Sequence, residues 1–143
     1  MRIFTIGYEG ATQAEVVAAL QGAGVTLLAD VRAVPLSRRP GFSKNILAAG
    51  LREAGIDYVG LKALGTPPAG REAARKGDHA RLRQVYAGQL ELPEALVQAE
   101  QLREMAGERP TALLCFERDA NACHRSLLLE MAFPEAERVD LTP

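Results

Sequence analysis

The segment LLCFERDANACHR (113–125) contains both cysteines of the chain, together with a glutamate, a histidine and an arginine. If Asn121 caps a helix that begins here, Cys123 and His124 lie in its first turn, where backbone N–H groups and the helix dipole favour negative charge. A thiol in that position is expected to have a lowered pKa and to be a stronger nucleophile. The alternative is that Cys123 is only a small residue that packs tightly. The pattern favours Cys123 as the catalytic nucleophile, with His124 as a proton carrier.

Other side chains of the same segment could assist this thiol. Arg125 presents a fork of donors that can hold two oxygens of an anion. Glu117 could act as a base or hold Arg125 in place. Cys115 fits a buried core residue better than a reactive one, because free cysteine is among the most buried residue types. It is also the possible thiol partner of Cys123, provided that the two Cα atoms lie within about 7 Å.

The segment does not predict a metal site. The spacing of Cys115, Cys123 and a histidine matches no standard zinc motif. Consecutive residues of a helix also point about 100° apart, so Cys123 and His124 are not expected to share one ion. No cofactor is predicted.

A basic loop shaped by glycine and proline lies in ADVRAVPLSRRPGFSK (29–44), and it has no acidic residue from position 32 to position 44. Such a loop, leading into a helix N-terminus, can receive a phosphate group. A solvated surface loop would show the same pattern. Asp30 could orient the catalytic groups, or it could neutralise a neighbouring arginine. The anion-binding residues predicted from this loop are Arg32, Arg38, Lys44 and Ser37.

The segment TIGYEG (5–10) is predicted to be a strand followed by a turn with flanking glycines. Gly7 would let the backbone approach a ligand closely, and Tyr8 offers a ring for stacking and a hydroxyl. The G-x-G-x-x-G spacing is missing, so the segment is not a dinucleotide-binding fingerprint. Gly7 and Tyr8 are therefore predicted only as contacts of the anionic ligand.

Strand-like and helix-like patterns alternate along the chain. Apolar, β-rich runs predict strands at 2–7, 25–31, 56–61, 111–116 and 137–141. Helical periodicity predicts helices at 13–24, 44–55, 79–90, 93–106 and 122–133. The alternation favours an α/β fold, with one domain over residues 1–143 and a mostly parallel sheet of about four to five strands flanked by helices.

In such a fold, ligands bind beyond the carboxyl ends of the strands. The strand ends predicted to meet at this edge carry Gly7 and Tyr8, Asp30 and Arg32, and Cys115 and Glu117. Three unrelated stretches thus place their most reactive residues at the same edge of the sheet. The sequence therefore predicts one site built from all three.

The composition is that of an ordinary globular protein, with 48% hydrophobic and 24% charged residues. The net charge of −1 excludes a general attraction to polyanions, so any anion binding must be local. Neither the apolar core of a signal peptide nor a run long enough to span a membrane is found. A cytoplasmic protein without a membrane partner is therefore expected, and its thiols are more often free or ligands than part of a disulfide.

Four motifs in order, covering nearly the whole chain, resemble the bacterial and archaeal family known as the domain of unknown function 488. They are TIGYEG, ADVRAVPLSRRPGFSK, YVGLKALG and CFERDANACHR. In the last motif, the family's C-x-E and C-H-R pattern falls on Cys115, Glu117, Cys123, His124 and Arg125. The turn at Tyr8 and Glu9 departs from the histidine-serine version often found in the family. The resemblance implies a single α/β domain with these positions lining one pocket, and it implies no established activity.

The sequence favours an enzyme, a cysteine-dependent hydrolase or transferase that acts on a phosphate-bearing or otherwise anionic substrate, such as a nucleotide or nucleic acid. A non-catalytic module that binds a nucleotide or nucleic acid is the alternative. It is weakened by the absence of tryptophan and by only three tyrosines and four phenylalanines for base stacking. The third hypothesis is a thiol-redox or metal-responsive protein. Neither the substrate nor the oligomeric state follows from the sequence.

Overall fold

The computed structural model describes all 143 residues, and its centre is a sheet of five strands in which every neighbouring pair is parallel. The strands are β1 (Arg2–Gly7), β2 (Leu27–Asp30), β3 (Asp57–Gly60), β4 (Thr111–Cys115) and β5 (Glu137–Leu141). Their order across the sheet is β3-β2-β4-β1-β5. The register places Gly7 beside Cys115 and Asp30 beside Leu114, so the carboxyl ends of the three inner strands meet at one edge.

Six α-helices flank the sheet: α1 (Gln13–Gly22), α2 (Lys44–Glu53), α3 (Pro68–Arg75), α4 (His79–Leu90), α5 (Pro93–Glu108) and α6 (His124–Ala132). Successive side chains of a strand point to opposite faces, so Ile3 and Phe4 of β1 enter two different cores. Helices α1 and α2 cover the Phe4 side, and α4, α5 and α6 cover the Ile3 side. No helix is both long enough and apolar enough to cross a membrane.

The predicted α/β class is confirmed, and a strand forms at each of the five predicted places. Thr12 caps α1 through a reciprocal pair of hydrogen bonds with Glu15, which satisfies two backbone N–H groups at the helix start. Ser43 precedes α2 without capping it, because its hydroxyl is engaged with the backbone of Ser37.

The start of α6 differs from the prediction in a way that changes the site. Asp119 caps a short 3₁₀ turn at Ala120–Ala122, and the chain then becomes extended at Cys123, with φ −140° and ψ 178°. Helix α6 therefore begins at His124, and its N-cap is Cys123 rather than Asn121.

The glycine- and proline-rich segment 62–78, which the sequence left unassigned, forms a 3₁₀ turn and α3. Pro68 occupies the first position of α3, where its missing N–H removes no helical hydrogen bond. Helix α3 packs on α4, and Gly70 makes this possible because a Cβ there would lie 3.3 Å from Val85 and 2.4 Å from Thr66. This packing carries α3 to the carboxyl edge of the sheet.

Candidate active site

A cavity of about 510 Å³ lies at the carboxyl edge, over the ends of β1, β2 and β4. Four residues predicted from three separate stretches line it together: Tyr8, Arg32, Cys115 and Glu117. Cys123 and His124 complete its floor from the start of α6. The edge expected to bear the site is therefore the edge that bears the cavity, since parallel strands end on the same side of a sheet.

Cys115 is buried, as expected, yet its thiol faces the cavity. It ends β4, and two acid–base groups lie near its sulfur. The Sγ atom is 3.0 Å from Oε2 of Glu117, to which the thiol can donate its proton, and 3.6 Å from Nδ1 of His124. A thiol this close to groups that can accept its proton is the arrangement that can activate a cysteine as a nucleophile. The thiol with the predicted catalytic surroundings is Cys115, the one that the sequence placed in the core.

A second hydrogen bond determines which ring nitrogen of His124 carries a hydrogen. Its Nε2 atom lies 2.7 Å from the carbonyl oxygen of Val31, just beyond β2. A carbonyl oxygen only accepts, so Nε2 must carry a hydrogen, and the neutral imidazole then has its lone pair on Nδ1. That lone pair points at the thiol of Cys115. The backbone of one strand thus prepares the histidine to take a proton from the end of another.

Cys123 has a different environment from the one predicted. Burial raises the pKa of its thiol, the neighbouring Cys115 raises it further, and His124 and Arg125 oppose this only in part. The prediction of a lowered pKa is therefore wrong. Its physical reason is that the helix-terminus argument assumed an exposed thiol, whereas only 3% of Cys123 is exposed and α6 begins one residue later. The Sγ atom accepts from the backbone N–H and from the Nε–H of Arg125, at 3.4 Å and 3.0 Å.

Arg125 is fully buried and does not line the cavity. Its Nη2 group donates to the carbonyl oxygen of Glu117, its Nε group binds the sulfur of Cys123, and Nη1 has no hydrogen-bond partner. These contacts connect the loop after β4 to the start of α6 at a buried position outside the cavity lining. Arg125 therefore supports the shape of the loop, and the anion that it was predicted to hold cannot reach it through the cavity.

Asp30 and Arg32 form a buried ion pair with two hydrogen bonds, Nε to Oδ1 at 2.8 Å and Nη2 to Oδ2 at 2.6 Å. Oδ2 of Asp30 also accepts from the hydroxyl of Tyr58 at 2.5 Å, and burial together with this carboxylate raises the pKa of Tyr58. Nη1 of Arg32 donates to the carbonyl oxygen of Phe42 and to the hydroxyl of Tyr8. Asp30 does not line the cavity, and four of the five guanidinium N–H groups of Arg32 already donate within the protein. The pair therefore joins β2 to its neighbours and leaves at most one N–H group of Arg32 for a ligand.

Gly7 and Tyr8 both make packing contacts within the protein, and only Tyr8 lines the cavity. A Cβ on Gly7 would lie 1.8 Å from the carbonyl oxygen of Glu117, so the close approach expected of Gly7 is to the loop after β4 and not to a ligand. The buried ring of Tyr8 stacks on Phe42 with centroids 4.4 Å apart and meets the edge of Phe116. Tyr8 thus forms part of the cavity wall with its ring already packed.

The other residues of the predicted basic loop are not brought to the cavity. Arg38 and Lys44 are exposed and lie outside its lining. Ser37 is bound within the loop, where its N–H meets Oγ of Ser43 and its own Oγ accepts from the backbone of Arg39. Of the predicted anion ligands in this loop, only Arg32 reaches the cavity.

Two arginines that the sequence analysis missed do line the cavity. Arg71 and Arg75 lie four residues apart on α3, and neither is paired with a carboxylate. Arg71 donates to the carbonyl oxygen of Thr66 at 3.1 Å, and Arg75 is exposed. The signal was the i, i+4 spacing in PAGREAAR, which puts both side chains on one helical face. The flanking glycines and prolines are typical of a loop, so the sequence does not predict a helix here.

The geometric argument against a shared metal ion is also wrong. Because Cys123 is an extended N-cap and not a helical residue, its side chain does not diverge from that of His124 by a helical step. The sulfur atoms of Cys115 and Cys123 and a ring nitrogen of His124 lie within 4.8 Å of one another, and all three residues are buried. Both cysteines are free thiols.

Comparison with known proteins identifies the family. A profile described as Domain of unknown function DUF488 matches residues 12–132, and the chain belongs to that family, as the four motifs implied. No curated protein and no solved structure matches the chain. The family description carries no activity, so the chemistry must be argued from the site.

Proposed function

Because the chain belongs to a family of unknown function, we propose a function from its site: a cysteine-dependent hydrolase or transferase that acts on a small anionic substrate. The observation that carries the proposal is the contact between Cys115 and His124. A thiol beside an imidazole nitrogen whose lone pair is directed at it, at the floor of a cavity, is the arrangement that nucleophilic catalysis requires.

In this mechanism, Nδ1 of His124 accepts the thiol proton and the sulfur of Cys115 attacks the electrophilic centre of the substrate. The imidazolium of His124 returns this proton to the leaving group as the bond between that group and the electrophilic centre breaks. Glu117 lies within hydrogen-bond distance of the same sulfur and serves as the base for the water or acceptor that then displaces the sulfur. Cys123 is not the nucleophile here. It accepts hydrogen bonds from Arg125 and holds the start of α6, which positions His124.

The substrate class is argued from the lining of the cavity. Its volume suits a small molecule, and its wall includes Phe116 and the ring of Tyr8. Arg71 and Arg75 supply cations without carboxylate partners on one side, and a guanidinium fork matches phosphate or carboxylate oxygens. These residues take the anion-binding role first predicted for Arg38 and Lys44.

A screen with chromogenic esters tests the proposal. The substrates are p-nitrophenyl phosphate and the mono-p-nitrophenyl ester of a dicarboxylic acid, and the proteins are wild type, Cys115→Ser and Cys123→Ser, all with EDTA present. We expect nitrophenolate release that Cys115→Ser abolishes, and an adduct on Cys115 by mass spectrometry. Release that persists in Cys115→Ser, or an adduct on Cys123, would contradict the assignment.

The basic loop supports a nucleotide- or nucleic-acid-binding module less well. Arg38 and Lys44 lie outside the cavity, and Phe116, the one large aromatic residue that is substantially exposed, lies at the cavity and not on this loop. Base stacking would need aromatic side chains beside the cations. We therefore propose no second function for the loop.

A further inference from the structure

Three groups around the floor of the cavity, Cys115, Cys123 and His124, also lie close enough together to bind one metal ion. Zinc in proteins binds thiolate sulfur at about 2.3 Å and histidine nitrogen at about 2.0 Å, which across a tetrahedral angle separates the two ligand atoms by about 3.5 Å. The observed distance from Sγ of Cys115 to Nδ1 of His124 is 3.6 Å. With Cys123, all three ligand atoms lie within 4.8 Å of one another.

The surrounding hydrogen bonds match those that support metal ligands. A metal-bound histidine usually donates its other ring N–H to a carbonyl or carboxylate, and Nε2 of His124 donates to Val31. The sulfur of Cys123 accepts two N–H groups from Arg125, whose buried guanidinium has no carboxylate partner. These hydrogen bonds fix the orientation of the His124 ring and the position of the Cys123 sulfur.

We propose that a thiophilic divalent cation of the zinc type binds to Cys115, Cys123 and His124, with its fourth position open to the cavity. Binding releases the two thiol protons to solvent and changes no oxidation state. The ion takes the sulfur of Cys115 and the lone pair on Nδ1 of His124, the two groups that the proposed reaction needs. Metal binding and thiol chemistry therefore exclude each other at this site, and this regulatory consequence, unlike the binding itself, rests on the proposed function.

Cobalt provides a direct readout of the ligand set. The full-length protein is stripped with EDTA, desalted and titrated with Co²⁺, and the absorption of thiolate-to-cobalt charge transfer and of tetrahedral cobalt is recorded; Zn²⁺ is then added in competition. We expect one ion per chain and displacement of cobalt by zinc. A titration without charge-transfer absorption would overturn the proposal.

Three variants separate this site from binding elsewhere. Cys123→Ser keeps the nucleophile and a residue suited to the N-cap position, and it should weaken zinc binding by about 100-fold or more. Cys123→Ala repeats the test without a hydroxyl. The control is His79→Ala, which removes the only other histidine, an exposed one, and should bind zinc as wild type does. Equal affinity in wild type and both Cys123 variants would contradict the assignment.

Alkylation of Cys115 by iodoacetamide, with and without Zn²⁺, tests the consequence. Zinc should block alkylation in wild type and EDTA should restore it, whereas in Cys123→Ser the ratio of rates with and without zinc should stay near one at the same zinc concentration. If the cobalt spectrum appears but Cys115 is unreactive in the metal-free protein, the metal site is supported and the proposed function is contradicted. If Cys115 is reactive but no cobalt spectrum appears, the metal site is contradicted and the proposed function is supported.

Discussion

The imidazole of His124 links two strand ends, with one nitrogen at the carbonyl of Val31 and the other at the thiol of Cys115. Each contact constrains the other, because a hydrogen on Nε2 leaves Nδ1 as the acceptor in the neutral ring. The proposed chemistry therefore depends on the backbone of β2 as directly as on the side chains.

The buried ion pair of Asp30 and Arg32 gives a prediction at the same scale. Asp30→Asn leaves the guanidinium of Arg32 buried without its counter-charge, and such a loss costs about 3–5 kcal/mol. Urea unfolding should therefore show a large drop in the free energy of unfolding.

The matched control for that prediction is Asp57→Asn, which removes the carboxylate partner of Arg109 at the surface. Exposed pairs contribute about 0–1 kcal/mol, so this variant should remain close to wild type. Similar losses in the two variants would mean that burial of the Asp30 pair does not matter.

The cavity arginines give the second prediction at this scale. Arg71→Ala and Arg75→Ala remove charge-assisted contacts to the substrate anion, which should raise KM on the order of 10-fold while kcat changes little. Arg52→Ala, on α2 and on the other face of the sheet, makes the same change in net charge away from the cavity. If all three variants raise KM equally, the effect is one of overall charge, and the anion site is elsewhere.

Individual residues show how far the sequence could go. It grouped Cys115, Glu117 and His124 in one segment, but it could not say which thiol contacts both Glu117 and His124. That choice depends on whether α6 begins at residue 122 or at His124, and a 3₁₀ turn capped by Asp119 decides it. Helix boundaries are set by such local competition among caps, which a pattern of apolar residues does not report.

At the scale of elements, the loop after β4 is held by the strand beside it. The backbone N–H of Tyr8 donates to the carbonyl of Cys115, and that of Glu9 donates to the carbonyl of Phe116. Gly7 allows this contact because it has no Cβ, which would otherwise overlap Glu117. The position of Glu117 therefore depends on the end of β1.

Gly7→Ala tests this dependence. The added methyl group would lie 1.8 Å from the carbonyl oxygen of Glu117, and because this contact is with backbone, the loop must move. We expect a loss of about 1–3 kcal/mol of stability and slower alkylation of Cys115, measured by denaturant unfolding and mass spectrometry.

Gly88→Ala is the control for the change from glycine to alanine. Gly88 lies inside α4 with nothing within 4 Å of an added Cβ, so alanine there should stabilise the protein by about 0.5–1 kcal/mol. If Gly7→Ala behaves like this control, the loop does not depend on the close approach.

The elements themselves were well predicted where the pattern was strong. Strands β1 and β5 form at the predicted residues, and so does α4. The failure was α3, because Pro67, Pro68 and Gly70 look like a break, although the prolines occupy its N-terminus and the glycine is a packing contact with α4. The meaning of such residues depends on their neighbours in space, and the sequence alone does not supply those neighbours.

At the scale of the whole molecule, the sheet order β3-β2-β4-β1-β5 brings the site together. Strand β4 pairs with both β1 and β2, so residues more than 80 positions apart share one edge. Alternating strands and helices predicted parallel pairing and a common edge, but they did not predict which strands are neighbours.

The outer strand β5 makes the stability of the molecule depend on pH. Burial raises the pKa of Asp140, but hydrogen bonds from Arg138 and Thr5 more than offset it, and the pKa is lowered overall. A lowered carboxyl pKa contributes stability above its unfolded value and loses that contribution as the pH falls through the folded value.

Asp140→Asn should therefore be less stable than wild type at pH 7, by about 0.5 kcal/mol because the carboxylate is partly exposed. The difference should shrink as the pH falls below about 3.9, the ordinary value for an aspartate, and it should be smaller at pH 2 than at pH 7. Thermal unfolding at the two pH values measures it. A difference that is the same at both would show that the carboxylate charge does not link β5 to β1.

The most direct test of the central claim is the rate at which each thiol reacts with iodoacetamide at pH 7 in EDTA. Trypsin cleaves after Arg118, so the two cysteines separate onto different peptides for mass spectrometry. We predict that Cys115 reacts faster than Cys123, and that His124→Asn slows Cys115 on the order of 100-fold, since the lone pair that takes the thiol proton is gone. Faster reaction at Cys123, or a rate at Cys115 that His124→Asn does not change, would contradict the account.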